Sequence, residues 1–274
     1  MVGSVEKHLL ERIQADDAIH LTLVDPEKVS VGSASNLAKR LARSETTAIM
    51  VGGSTTNSTV HLDKVVKAIK NDVQIPIILF PNNVTGISQH ADAIWFMSLL
   101  NSVDPYFLVG AQILGAPLVK KFSLEALPLG YIIVGEGGTA GIVGRAVSIP
   151  YKKPELAVAH ALAAQYLGMR FVYLEAGSGA NQPVPSAMIR TVKDALNVIL
   201  IVGGGIRGSE QARAVVTAGA DIVVTGNIIE EAGSEGEFEK LIEAVKDGGA
   251  ARSRCRNEQP QSFRHKKLST KPLT

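Results

Sequence analysis

The chain has 274 residues, of which 46% are hydrophobic but only 5% aromatic, and its formal net charge is +2. Such a core must be built from aliphatic side chains, as in parallel strands buried on both faces, which disfavours an aromatic-rich β-sandwich. The single cysteine, Cys255, excludes an internal disulfide framework. No apolar run approaches the ~20 residues that span a bilayer, and the charged N-terminus does not resemble a signal peptide. We therefore expect a soluble, cytoplasmic protein.

The positive charge is concentrated at the C-terminal end. Residues 248–274 hold seven Lys and Arg against one acid, which leaves 21 basic and 25 acidic residues, a net charge of −4, in residues 1–247. Because the segment lacks apolar periodicity, we predict a folded domain over 1–247 and a disordered basic tail over 248–274. A solvated appendage is the simplest interpretation of this tail. Peripheral contact with an anionic membrane is the alternative, and no nucleic-acid partner is expected.

Eight short β-branched runs follow one another along the chain, each ending in a small or polar cluster. They are residues 19–24, 47–51, 77–80, 93–97, 131–134, 171–174, 198–202 and 221–225. Helical patterns lie between most of them. One predicted helix face consists of Leu62, Val65, Val66 and Ile69, and another, between Pro154 and Gly168, of Leu156, Ala159, Ala163 and Leu167.

This alternation predicts an α/β fold, a TIM (β/α)8 barrel, because eight parallel strands are the number that closes. An open doubly wound sheet is the structural alternative, but no dinucleotide fingerprint follows the first strand. In a barrel the active site lies at the carboxyl ends of the strands. The residues that follow the predicted strands are therefore the candidates for function.

Glycines after the last two strands indicate a phosphate site. Gly204 and Gly205 follow the seventh strand, and Gly226 and Asn227 follow the eighth. Phosphate sites in these barrels recur after strands seven and eight, where backbone N–H groups face the anion. Tight turns without a ligand are the alternative explanation of these glycines.

The sixth strand ends in a carboxylate. Tyr173 and Glu175 lie two residues apart, so both side chains point to the same side of the strand. A carboxylate at the end of an apolar strand is costly unless it is paired or functional. We predict Glu175 to act as a general base, with a structural contact to a neighbouring loop as the alternative.

Asp25 and Ser54 follow the first two strands and become neighbours if the barrel closes. Mg²⁺ prefers oxygen ligands and binds through one or two carboxylates together with substrate phosphates. The two residues could hold such a cation. The pair Asp25-Pro26 also fits an ordinary helix N-cap, and the spacing alone does not decide between the two.

Eight stretches of the chain carry a family resemblance: LTLVDPEK, MVGGST, FMSLLNS, GGTAGIVG, IPYKKPELAVAHALAAQYLGM, YLEAGSGA, VGGGIR and VTGN. They resemble the geranylgeranylglyceryl phosphate synthase family, the archaeal-type enzymes related to bacterial heptaprenylglyceryl phosphate synthases. The stretches run from about residue 20 to 230, so the resemblance covers the whole predicted barrel.

The resemblance implies a Mg²⁺-dependent prenyltransferase of archaeal ether-lipid biosynthesis. It would transfer a geranylgeranyl group from its diphosphate to the primary hydroxyl of sn-glycerol 1-phosphate. The implied Mg²⁺ positions are Asp25 and Ser54, and we predict Glu175 and Tyr173 as the catalytic residues. The implied glycerol-phosphate site consists of Tyr173, Leu174, Glu175, Ala176, Gly177, Ser178, Gly179, Gly204, Gly205, Gly226 and Asn227. The family also implies a homo-oligomer.

The loop after the fifth strand departs from the family pattern. It reads Gly135-Glu136-Gly137-Gly138 where the family commonly has Glu-Pro before the paired glycines. The loop is long enough to act as a lid.

Trp95, Phe96, Tyr106 and Phe107 are candidates to line a prenyl groove, although strand aromatics also serve as core. Two other functions are possible for such a barrel. One is a different phosphate-binding enzyme, such as a sugar-phosphate isomerase or a flavin enzyme. The other is a non-catalytic barrel that only binds phosphate ligands.

Overall fold

Eight parallel strands form a closed barrel in which each strand pairs with the next and the last pairs with the first. The computed structural model describes residues 2–226 and 235–258. The strands are β1 (Ile19–Val24), β2 (Ala48–Val51), β3 (Ile77–Leu79), β4 (Ala93–Leu99), β5 (Glu125–Ile133), β6 (Phe171–Glu175), β7 (Ile199–Gly203) and β8 (Ile222–Thr225). The predicted barrel is confirmed, and the open sheet is excluded because β1 and β8 are hydrogen-bonded neighbours.

Helices cover most of the outside of the barrel, and the first of them contributes Val5 and Leu9 to the cluster that fills the barrel interior. The helices are α1 (Ser4–Asp16), α2 (Val31–Arg43), α3 (Thr59–Asp72), α4 (Ala111–Lys121), α5 (Gly138–Val143), α6 (Pro154–Tyr166), α7 (Ser186–Ala195), α8 (Ser209–Ala218) and α9 (Glu235–Glu258). None of these described helices has the length and apolar character needed to cross a bilayer.

The register of the strands decides which side chains fill the barrel. Tyr131 of β5 pairs with Tyr173 of β6, which in turn pairs with Ile201 of β7. All three are buried in the cluster that fills the interior. Because side chains alternate along a strand, Glu175 follows Tyr173 on this inward side, one step nearer the carboxyl end.

The connection between β3 and β4, described throughout, contains a single 3-10 turn, Val84–Gly86, in place of a helix. The outer face of these strands is therefore not covered by a helix of its own. Instead, Ile87 from this connection packs against Ile94 of β4 and Val119 of α4 in one apolar cluster. This departure from regular βα alternation leaves an apolar region beside the carboxyl ends of the strands.

The predicted face of α3 is confirmed, since Leu62, Val65, Val66 and Ile69 are all buried. The predicted face of α6 is wrong. Its buried residues are Ala157, Ala161 and Ala164, while Leu156 and Leu167 are 45% and 71% exposed. The helix lies so close to β5 that a Cβ on Gly130 would be 2.6 Å from the Ala164 Cβ. A side chain larger than that of alanine does not fit this contact. Because apolar residues lie on all sides of this helix, their spacing does not indicate which side is buried.

The predicted start of the tail at Gly248 is also wrong, because α9 continues to Glu258. Arg252, assigned to the basic tail, is buried and donates to the backbone oxygens of Ala220, at 2.9 Å, and of Asp17. Its guanidinium lies 3.3 Å from the buried carboxylate of Asp221. Polar contacts of this kind leave no trace in apolar periodicity. Residues 259–274, with the remaining part of the predicted tail, lie outside the described residues.

Arg252→Ala should therefore destabilise the protein by about 3 kcal/mol, because Asp221 would keep its buried charge with one cationic partner fewer. The measurement is the free energy of unfolding in urea. Arg254→Ala, an exposed position on the same helix, is the matched control and should change this free energy by less than about 0.5 kcal/mol. Equal stability of the two variants would contradict a structural role for Arg252.

Candidate active site

A cavity of about 890 Å³ opens at the carboxyl ends of the strands. Most of the predicted site residues line it: Asp25, Ser54, Tyr173, Glu175, Ser178, Gly179, Gly204, Gly205 and Gly226. Leu174, Ala176 and Gly177 do not. Leu174 and Ala176 are buried in the core between the barrel and the helices, because they alternate with the inward residues of β6. Asn227 lies outside the described residues.

Glu175 is the buried carboxylate of this cavity, with a side chain 7% exposed. Its Oε1 accepts a hydrogen bond of 2.6 Å from the backbone N–H of Gly177. Burial raises the pKa of the Glu175 carboxyl, while hydrogen bonds from Gly177, Tyr173 and Tyr131 act in the opposite direction. A carboxylate with a raised pKa and several donors is suited to accept a proton from a substrate hydroxyl.

Tyr131, on the neighbouring strand β5, and Tyr173, two residues before Glu175 on β6, hold the Glu175 carboxylate. Their ring centroids are 5.2 Å apart, and Phe80 packs against both rings at 5.4 and 5.8 Å. Burial and the negative charge of Glu175 raise the pKa of both phenols well above the ordinary value. Both hydroxyls therefore stay protonated and can donate to the carboxylate.

The glycines after β7 allow the chain to approach these residues closely. A Cβ on Gly203 would lie 2.1 Å from the hydroxyl oxygen of Tyr173, and one on Gly204 would lie 2.4 Å from Oε1 of Glu175. Gly204 also has a φ of +82°, a conformation that other residues adopt at a cost. The predicted phosphate loop is thus held in direct contact with the predicted base.

The strand that precedes Gly226 is fixed from outside the barrel. His20 of β1 is buried, and its Nε2 lies 2.8 Å from Oγ1 of Thr225 while Nδ1 lies 3.1 Å from Oγ1 of Thr46. Burial lowers the pKa of His20 to about 3, so the ring is neutral at physiological pH. A neutral imidazole is able both to donate and to accept, which suits a position between two hydroxyl groups.

Asp25 and Ser54 both line the cavity on its β1–β2 side. Oδ1 of Asp25 accepts from the N–H of Glu27 at 3.0 Å, so the capping alternative is observed. The space beside this carboxylate is nevertheless open because residue 53 is a glycine. A Cβ on Gly53 would lie 2.6 Å from Oδ1 of Asp25. The Nδ2 group of Asn82 donates to the backbone oxygens of Ser54 and Thr56 at 3.1 and 3.0 Å, which fixes the loop after β2.

The apolar part of the cavity extends into the region left by the missing helix between β3 and β4. Its lining there includes Ile87, Ile94, Phe96, Gly115 and Val119. Of the aromatic candidates, Trp95, Phe96 and Phe107 line the cavity. Trp95 is also fully buried in the core, as the alternative interpretation of this residue has it, and its place in a prenyl groove stays a prediction.

Helix α5 brings Thr139, Ala140 and Val143 to the cavity, so the loop predicted as a lid lies at its mouth. The chain just after α5 is held by an ion pair in which the guanidinium of Arg145 lies 3.2 Å from the Asp104 carboxylate. The lid function itself stays a prediction.

Tyr131, Asn82 and Arg207 also line the cavity, although the sequence pattern does not predict them as site residues. Tyr131 opens the predicted fifth strand, which placed it far from the carboxyl end. The observed β5 begins six residues earlier, at Glu125, and its register aligns Tyr131 with Tyr173. Only the strand pairing shows that the two tyrosines share one layer.

The profile of the PcrB family matches residues 11–249. The geranylgeranylglyceryl phosphate synthase of Pyrococcus furiosus is 55% identical over 247 residues, which cover 90% of this chain and 98% of that protein. The corresponding protein of Thermofilum pendens is 50% identical over 255 residues, 93% of this chain and all of the relative. This chain belongs to the PcrB family. The family resemblance of the sequence motifs is confirmed, and so is the expectation of an enzyme of the prenyltransferase class.

A solved structure shares the fold closely. The (S)-3-O-geranylgeranylglyceryl phosphate synthase from Thermoplasma acidophilum, in complex with its substrate sn-glycerol-1-phosphate, has a TM-score of 0.85 and 38% identity. The match covers 90% of this chain and all of that chain. That protein therefore binds a phosphorylated glycerol.

Gly204→Ala should weaken the binding of inorganic phosphate at least ~10-fold, because the new methyl group clashes with Glu175 and strains the backbone by about 1–3 kcal/mol. Isothermal titration gives the Kd, and thermal unfolding shows whether the variant is folded. Gly208→Ala is the matched control, since nothing lies within 4 Å of the added Cβ. Wild-type affinity in a folded Gly204→Ala variant would show that this loop does not form the binding site.

Proposed function

We propose that the protein transfers a geranylgeranyl group from its diphosphate to the primary hydroxyl of sn-glycerol 1-phosphate and that the reaction depends on Mg²⁺. The observation that carries this proposal is the position of Glu175. This buried carboxylate lies between loops rich in N–H donors and an apolar region of the same cavity. The names of the relatives support the same donor and acceptor.

In the proposed reaction the bond between the allylic carbon and the diphosphate oxygen breaks, and a bond from that carbon to the glycerol oxygen forms. The hydroxyl proton passes to the Glu175 carboxylate, and diphosphate leaves. Tyr131 and Tyr173 donate to the carboxylate and orient it. The glycine loops after β6, β7 and β8 hold the acceptor phosphate, so that the hydroxyl and the allylic carbon are brought together in a fixed geometry.

The residues on the β1–β2 side fit a hard divalent cation. Asp25 offers a carboxylate and Ser54 a hydroxyl oxygen, and Gly53 leaves the carboxylate accessible because it has no Cβ. Within residues 2–226 and 235–258 no group of three or more His, Cys, Asp or Glu could hold a metal ion. Few protein ligands are usual for Mg²⁺, which, when bound, neutralises the charge of the leaving diphosphate.

The apolar region between β3, β4 and α4 is the proposed binding site of the prenyl chain. Ile87, Ile94 and Val119 present aliphatic side chains there, and Phe96 adds an aromatic one. A sugar-phosphate isomerase has no use for such a region, because its substrates are polar throughout. The apolar lining therefore favours an amphiphilic donor over the isomerase alternative.

The direct test supplies Mg²⁺, geranylgeranyl diphosphate and each enantiomer of glycerol phosphate, with product detected by mass spectrometry and diphosphate release. We expect ether formation with sn-glycerol 1-phosphate. Glu175→Gln should lower kcat about 10²- to 10⁴-fold while retaining acceptor affinity, and Asp25→Asn should raise the Mg²⁺ concentration required. Preference for sn-glycerol 3-phosphate, or no turnover over a panel of donor chain lengths, would refute the proposal. The absence of turnover is the result expected of a non-catalytic barrel.

The pH dependence provides an independent check. Glu175 must be ionised to act as the base, so kcat/KM should fall as the pH drops through its raised pKa. Tyr131→Phe removes a hydrogen bond that favours the ionised form. The acidic limb of the pH profile should therefore move to higher pH in this variant. If the acidic limb stays in place or moves to lower pH, Tyr131 does not stabilise the ionised form of Glu175.

A further inference from the structure

Among the described residues that line the cavity, the cationic side chains are Lys28 and Arg207. They belong to opposite sides: Lys28 follows β1, beside Asp25, and Arg207 follows the glycine loop after β7. If the cavity holds two anions, as the proposed function requires, each side already carries a cation. Arg207 is the one that lies on the acceptor side.

The guanidinium of Arg207 is anchored at one edge. Its Nη2 donates to the backbone oxygens of Gly179, at 3.2 Å, and Ala180, at 3.1 Å, and the Arg207 backbone N–H donates to Oε1 of Gln211 at 2.7 Å. Within the two described ranges, Nε and Nη1 have no hydrogen-bond partner in the protein. The side chain is therefore held in place while three of its five N–H groups stay available for a ligand.

The electrostatics of the acceptor side call for such a cation. Glu175 is negatively charged in the proposed reaction, and its Oε1 would lie 2.4 Å from a Cβ on Gly204, within the same glycine loops that face the acceptor. A phosphate placed at these loops is therefore repelled by Glu175, and the backbone N–H groups are neutral. A guanidinium can offset this repulsion and form two parallel hydrogen bonds to phosphate oxygens.

We propose that Arg207 is a phosphate-binding residue of the acceptor site, held on the loop after β6 so that its free N–H groups contact the phosphate of the acceptor. The inference rests on the proposed function for the identity of that acceptor. Its physical basis is the juxtaposition of an anchored guanidinium with the glycine loops after β6 and β7.

The test is a titration of sn-glycerol 1-phosphate into the full-length protein in the absence of any prenyl donor, with inorganic phosphate as a competitor. We expect Arg207→Met to raise the Kd about 10- to 100-fold, the range of lost hydrogen bonds to a charged group. The variant should also show a smaller dependence of Kd on salt concentration, and Arg207→Lys should bind with intermediate affinity. In turnover, KM for the acceptor should rise while kcat at saturation changes little.

Arg190→Met is the matched control, because Arg190 is exposed on α7 and does not line the cavity. It should bind as the wild type does. Wild-type affinity in Arg207→Met would overturn the inference, and so would an affinity loss with an unchanged salt dependence, which indicates a purely structural tether. A wild-type protein that binds no sn-glycerol 1-phosphate would instead refute the proposed function, so the two failures are distinguishable.

Discussion

A carboxylate held almost entirely out of water has to be compensated by hydrogen-bond donors, and Glu175 imposes this requirement on its neighbours. The N–H of Gly177 and the hydroxyls of Tyr131 and Tyr173 all donate to it. The loop after β7 must also come close, which is why Gly204 adopts a positive φ against the Glu175 oxygen. The loop that faces the ligand and the base that would act on it are thereby fixed by the same set of contacts.

The residues that line the cavity around this carboxylate form three regions of different chemical character. The loops after β6 and β7, with Gly226 after β8, contribute glycines and Arg207 to the lining, which suit an anion. The β1–β2 side contributes Asp25 and Ser54, whose oxygens suit a cation. A third region, lined by Ile87 and Ile94, is apolar because a single 3-10 turn replaces the helix after β3. An amphiphile with a charged end and an acceptor with a phosphate can therefore be held in one cavity.

Much of this arrangement was predictable from the sequence, and the exceptions have specific causes. The strand ends converged as expected because closure of eight parallel strands leaves no alternative position for them. The buried face of α6 was not predictable, because its alanines are selected by the close approach of Gly130 and not by hydrophobicity. Arg252 looked like part of a basic tail, but backbone oxygens and Asp221 make it part of the fold. Tyr131 became a site residue only through its pairing with Tyr173.

By itself the sequence determined the eight strands, the barrel they close, the family and the polar residues that follow each strand, since all of these depend on local pattern and on motifs contiguous in the chain. The tertiary structure decided which of those residues face the cavity and which partners they meet. It placed Leu174 and Ala176 in the core while Glu175 between them faces inward. It also anchored Arg207 on the carbonyls of Gly179 and Ala180. Contacts between residues far apart in sequence depend on register and close approach, and these are properties of the folded chain as a whole.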